Sequence, residues 1–284
     1  MEITKEDITE KLISTGLNWR VNSEPLQTVS GILIPDRIAL VREDTKKVLG
    51  IHSESYVPYQ NDELLELLHR IGNSTGLSVH TGGSFQNGEK VWFQLKSSDL
   101  KLGNDTIKGY ISGFNSFDGK CALSFGNSTV TVSCMNTFWR GYREVNNKIR
   151  HSALMIPKIE EILSRIDVVL KEEQTMFQEI TRMNETRLSP EILELMTKRF
   201  FEIGVEDRLD SPDLSTRKSN QLWRFNYDMG IEIAQKGENL FGLFSGITRY
   251  STHSMKKEGN SESKMFGKTG NLERKIYSEL VEMV

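Results

Sequence analysis

The rhythm of apolar and polar positions changes near residue 136. Before it, apolar residues come in short alternating or continuous runs, the rhythm of strands. After it they recur every three to four residues, the rhythm of helices. The first element is an exception. Thr4 is a plausible N-cap, Ile8, Leu12 and Ile13 share one helical face, and Gly16 ends the helix. "LNWRVNSEPLQTV" then reads as extended. Residues 37–57 predict a β-hairpin with arms at 38–41 and 48–57 around a polar turn at 43–47. Asn61 is the expected cap of the helix "DELLELLHRIG", closed by Gly72. Residues 78–97 predict a second hairpin turning at Asn87 and Gly88. Residues 106–134 add two or three strands, with a turn at Asp118 and Gly119.

The second half predicts helices. Apolar residues at 159, 162, 166, 169, 176, 180 and 183 mark one long amphipathic helix, interrupted in pattern only at Glu173. Ser189 and Pro190 open the next, as N-cap and first helical residue, to about Phe201. After a charged loop at 204–218, Ser219 caps "NQLWRFNYDMGIEIAQKG", ended by Gly237. "NLFGLFSGITRYSTH" predicts an apolar helix, "SMKKEGNSESKMFGKTG" a polar loop, and "NLERKIYSELVEM" a closing helix. The expected class is α+β. A twisted antiparallel sheet in the N-terminal half packs against a long helix and further helices from the C-terminal half. Residues 1–150 form the β-rich core with short helices, and 151–284 a helical half packed on it as one unit.

Composition narrows the function classes. A net charge of −3 and a pI near 6.0 exclude a globally basic nucleic-acid binder, leaving room for a local basic face. The two cysteines, Cys121 and Cys134, show no metal spacing, which fits a reducing compartment. The polar N-terminus has no signal-peptide core, and no apolar run reaches the ~18 residues of a membrane span. The expected location is the cytoplasm, with no membrane association.

Three segments carry candidate chemistry. The first is "NSFDG", residues 115–119, where Asn115, Ser116, Asp118 and Gly119 are turn formers or ligand contacts at the end of the sheet. The second is "SCMNTFWRG". Cys134 reads as a buried thiol, while Asn136 and Thr137 suit a helix N-terminus, a place that also favours phosphate. The third is "RGYREVNNKIRH". Here Arg140, Arg143, Lys148 and Arg150 face Glu144 alone, with Trp139 and Tyr142 interleaved. That mixture suits a single strand, cations on phosphates and rings on bases. Trp92 offers a further candidate ring, and a solvated surface with aromatics in the core is the alternative. A second basic run, Lys256, Lys257, Lys264, Lys268, Arg274 and Lys275, follows the apolar helix. "FGKTG" lacks the spacing of a phosphate-binding loop. The five histidines show no metal spacing, and no catalytic constellation is legible, so neither metal nor cofactor is expected.

The order of motifs resembles the phage/plasmid-like protein family catalogued as domain of unknown function 932. The resemblance rests on "LNWRV", "VREDTKKVLGIHSESYVPYQNDEL", "GEKVWFQLK", "NSFDG", "VSCMNTF", "IRHS" with His151, "GITRYSTH" and a "GKTG" followed by Arg274. Phe117 stands where the family pattern has histidine. The resemblance implies an α+β fold, with a sheet followed by a long helix as in phage single-strand annealing proteins. It also implies a protein of phages, prophages or plasmids. The functional expectation is a non-enzymatic, oligomeric protein binding or annealing single-stranded DNA. Alternatives are a factor docking on a host or phage protein through the long helix, or a metal-dependent nuclease using Asn115, Asp118 and Asn136.

Overall fold

The computed structural model describes residues 5–103, 105–133, 135–204, 208–209, 215–255 and 268–284. The fold is α+β, with antiparallel sheets in the N-terminal half and helices in the C-terminal half. Two compact units divide it: Met1–Leu100 with Ile107–Glu173, and Lys101–Thr106 with Gln174–Val284.

The first unit holds two sheets rather than one. Strands β1 (Val21–Gln27), β2 (Leu33–Arg42) and β3 (Val48–Ser53) form a three-stranded antiparallel meander. Strands β4 (Val79–Phe85), β5 (Lys90–Leu102), β6 (Asp105–Ser116), β7 (Leu123–Ser128) and β8 (Asn147–Ile149) form the second sheet in chain order. The second sheet is covered on both faces where residues 90–95 of β5 and 123–128 of β7 are buried without interruption, alternate residues going opposite ways. Val91, Phe93, Leu95, Ile111, Leu123 and Phe125 join helix α2 (Asn61–Thr75) through Leu64, Leu68 and Ile71. Helix α1 (Lys5–Ser14) closes that core with Ile8 and Leu12, and α4 (Met155–Leu163) adds Met155 and Ile159. On the opposite face Phe114 meets Phe138 and Tyr142 of α3 (Met135–Glu144) edge to face. Buried Gln94 is fully satisfied there. Its amide donates to Ser112 Oγ and the Val130 carbonyl, and its oxygen accepts from Val132 N–H.

The cap of α2 lies one residue earlier than expected. The Gln60 N–H donates to Glu63 Oε2 at 2.6 Å, while its side chain exchanges two hydrogen bonds with the backbone of Val21. Asn61 instead donates to the carbonyls of Leu17 and Trp19, tying the β1 approach to the helix start. The helix ends at left-handed Gly76, beyond Gly72. By contrast, the β1–β2 hairpin is exposed over nearly all of residues 22–37, with Val29, Ile32 and Leu33 in solvent.

The long helix predicted over 156–183 is two: α4 and α5 (Ile166–Glu185), separated at Ser164 and Arg165. Glu173, the odd residue of its apolar stripe, is buried and accepts from the hydroxyls of Ser97 and Ser98. The second unit continues with α6 (Pro190–Phe201), α7 (Thr216–Lys236), α8 (Leu240–Arg249), a π-helical turn (Tyr250–Ser254) and α9 (Lys268–Glu282). Ser189 and Asn239 cap as expected of their types, and Ser215 rather than Ser219 caps α7. Phe200, Phe201, Phe225 and Tyr250 form an aromatic cluster at its core. No helix among the described residues is long and apolar enough to cross a membrane.

Candidate functional site

The "NSFDG" motif closes β6 and turns toward β7. Strand alternation sends Asn115 toward α2, where its amide donates to the Tyr59 carbonyl at 2.6 Å. Ser116 goes the other way. Its hydroxyl accepts from Cys121 N–H at 2.9 Å and donates to the Cys121 carbonyl at 3.1 Å, bridging the turn. Phe117 is fully buried and packs against Trp19 with ring centroids 5.8 Å apart. An imidazole there would need polar partners, and this apolar floor favours the phenyl ring. Asp118 pairs with Lys90 at 2.5 Å and accepts from Lys120 N–H at 3.1 Å, while Gly119 takes a positive φ of 75°.

Two residues outside the motif, His52 and Tyr56, complete the cluster. Tyr56 lies between two imidazoles, with centroids 4.0 Å from His52 and 4.7 Å from His151, both nearly parallel. The Tyr56 hydroxyl donates to the Ser116 carbonyl at 2.9 Å. His52 Nε2 donates to the Phe117 carbonyl at 2.8 Å, which fixes its tautomer because a carbonyl only accepts. His151 Nδ1 donates likewise to the Val57 carbonyl at 3.2 Å. Burial, with a smaller push from His52, pulls the His151 pKa down to about 4. Burial, aided by the negative charge of Asp118, pushes the Tyr56 phenol up. Both groups are neutral at pH 7. The side chains of the motif are thus directed at internal partners, and two buried polar atoms, Asn115 Oδ1 and His151 Nε2, have none. With its carboxylate held by the Lys90 ammonium, Asp118 is poorly placed to bind a cation. Among the described residues no group of three or more His, Cys, Asp or Glu could hold a metal ion.

The basic segment is built on α3 and β8. Phe138 and Tyr142 are buried in the sheet, which turns Arg140 and Arg143 partly outward. Thr137 Oγ accepts from Ser133 N–H at 2.9 Å, a capping contact for the start of α3. Lys148, on edge strand β8, and Arg150 beyond it are exposed. The Lys148 ammonium lies 4.6 Å from the centre of the Tyr142 ring. Glu144 is turned away, accepting from Ser128 Oγ at 3.0 Å and Thr129 N–H at 2.9 Å. Tyr142 and Trp92 are core residues, 6% exposed each. The Tyr142 hydroxyl accepts from Ala122 N–H, and Phe85 stacks on Trp92. Neither ring offers a free face for a base. Cys134 and the side chains of Asn136 and Trp139 lie outside what the structure describes, as do most of residues 254–268.

The sequence profile of a domain of unknown function, family 932, matches residues 48–275. The chain belongs to that family. Its matched segment takes in the "NSFDG" cluster, the α3–β8 surface and nearly all of the helical half. Comparison with the curated proteins and with the solved structures returns no match.

Proposed function

We propose that the protein binds single-stranded DNA without altering it chemically, through phosphate contacts on the surface made by α3 and β8. The observation that carries this reading is the sorting of charge in that segment. Lys148 and Arg150 are exposed and Arg140 and Arg143 half-buried, while the single acid of the segment, Glu144, is held against Ser128 and the Thr129 N–H. Such a surface attracts the phosphate chain without reading sequence. The rings of Tyr142 and Trp92 serve as scaffold here, so the contacts are assigned to Arg140, Arg143, Lys148 and Arg150. The resemblance to phage and plasmid proteins supports a role in a mobile element, with strand annealing by an oligomer as the activity.

The test is fluorescence anisotropy with labelled single-stranded and duplex DNA across a salt series. Affinity should fall steeply with salt. Arg143→Ala with Arg150→Ala should lower the slope by about two, one for each lost phosphate contact. Binding and slope unchanged in that double variant would remove the surface from consideration.

A further inference from the structure

The strap that joins β3 to α2, residues 54–60, has most of its length outside the core. Glu54, Ser55 and Val57 are exposed, Tyr56 and Pro58 half-buried, and only Tyr59 and Gln60, next to α2, are buried. Its outer part is fastened through Tyr56 and Val57, and His151 touches both. The Val57 N–H donates to the His151 carbonyl at 3.5 Å, and His151 Nδ1 donates to the Val57 carbonyl at 3.2 Å. The Tyr56 ring lies on the His151 ring, with its hydroxyl on the Ser116 carbonyl.

The closed strap leaves that imidazole no good place for a second proton. Nδ1–H is committed to Val57, and Nε2 is buried with no hydrogen-bond partner. A proton on Nε2 would place a cation in the interior, where burial opposes it. The groups around it do little to offset that cost. From β3, across the Tyr56 ring, His52 pushes against the charge. From the strap comes Tyr56, a neutral phenol. From the turn comes Cys121, whose carbonyl favours the charge by less than burial opposes it. The Asp118 carboxylate of the same turn is already paired with Lys90. Helix α4 has no acid in its first turn, and the residue before His151 is the cation Arg150.

We infer that His151 is a proton-operated catch on the strap: a proton on Nε2 releases residues 54–58 and uncovers the Ser116 carbonyl of the "NSFDG" turn, while the core stays folded. Opening lets the imidazolium reach water. It stops at the α2 end, where the Tyr59 carbonyl accepts from Asn115 and the Gln60 side chain holds the Val21 backbone. The sign follows from the two forms. Closed, His151 takes a proton only near pH 4, and in water an ordinary histidine does so near 6.5. The closed strap is therefore fully favoured above about pH 6.5, and opening gains as pH falls between those values, about tenfold by pH 5.5. The inference goes beyond the DNA-binding reading and does not depend on it.

The test is hydrogen exchange of the full-length protein at pH 7 and pH 5.5, read by peptide mass spectrometry, with each rate divided by the intrinsic rate at that pH. The peptide holding Tyr56 and Val57 should exchange about tenfold faster at the lower pH, and the interior of α2 should be unchanged. His151→Asn keeps a donor near the Val57 carbonyl and cannot titrate, so its strap should exchange alike at both pH values. His151→Phe removes the donor too, and its strap should exchange faster than the parent's at pH 7 with no pH dependence. An unchanged strap in the parent overturns the catch. An equal acid response in His151→Asn assigns the proton to another group and overturns it as well. If strap and α2 speed up together, the event is global unfolding and the inference fails.

Discussion

The ammonium of Lys90 meets the carboxylate of Asp118 at 2.5 Å with the two side chains 1% and 8% exposed. Lys90 opens β5 and also donates to Gln86 Oε1 at 2.7 Å, while Phe117 N–H donates to the Glu89 carbonyl at 2.8 Å. The turn of the family motif is thereby fastened to the β4–β5 turn. Removing Asp118 leaves the Lys90 ammonium buried without its counter-charge, and removing Lys90 leaves Asp118 only the longer contact with the exposed Lys120 ammonium at 3.9 Å; breaking such a buried pair costs about 3–5 kcal/mol. Lys90→Met alone and Asp118→Asn alone should each lower stability to urea by about that much. The double variant should lose less than the two single losses together.

His151 supplies a pH dependence. Its folded pKa near 4 lies below the ordinary histidine value of 6.5. Between those values the unfolded chain binds a proton that the folded chain does not. Stability is therefore full above about pH 6.5, falls as pH drops toward 4, and is flat below that with respect to this group. The loss reaches about 3 kcal/mol. Thermal melts from pH 8 to pH 4 should show this slope, and His151→Phe should flatten it.

Asn115 offers the opposite sign. Its side chain is fully buried against the Tyr59 carbonyl. In Asn115→Asp, burial would raise the new carboxyl's folded pKa, since a neutral acid can still donate to that carbonyl and a carboxylate repels it. Relative to the parent, the variant should be least destabilised in acid and lose stability as pH rises through about 4 and beyond. A melting difference that does not vary with pH would refute this.

Gly50 on β3 marks a close approach of the two sheets. A Cβ there would sit 2.3 Å from the Phe117 carbonyl oxygen and 2.5 Å from His52 Nε2. Gly50→Ala should displace the His52 hydrogen bond and destabilise by about 1–3 kcal/mol, as overpacking does. Gly230→Ala, with open space around it, should be neutral or slightly stabilising. Comparing the two melting temperatures tests the contrast.

Local chemistry explains what was legible in the chain. Hairpin turns at 43–47 and at Asn87 and Gly88, the Ser189 cap and the α+β order all follow from short-range signals, and all are present. Glu173 was visible as a break in the apolar stripe, but its cause, Ser97 and Ser98, lies 75 residues or more away in sequence. The grouping of His52, Tyr56 and His151 is hidden for the same reason, since 95 residues separate the last two. Interleaving with arginine drew attention to Tyr142, yet strand-facing geometry buries it.

The exposed β1–β2 hairpin has a consequence for how this chain tolerates change. Over residues 22–37 almost no side chain is held by packing, so length and identity there are constrained mainly by strand pairing with the register Asn22 to Val41 through Gln27 to Leu33. Selection acting through the core does not reach the 28–32 tip. That tip is accordingly the place in the described structure where residues can be gained, lost or replaced by a label with the least disturbance to the rest.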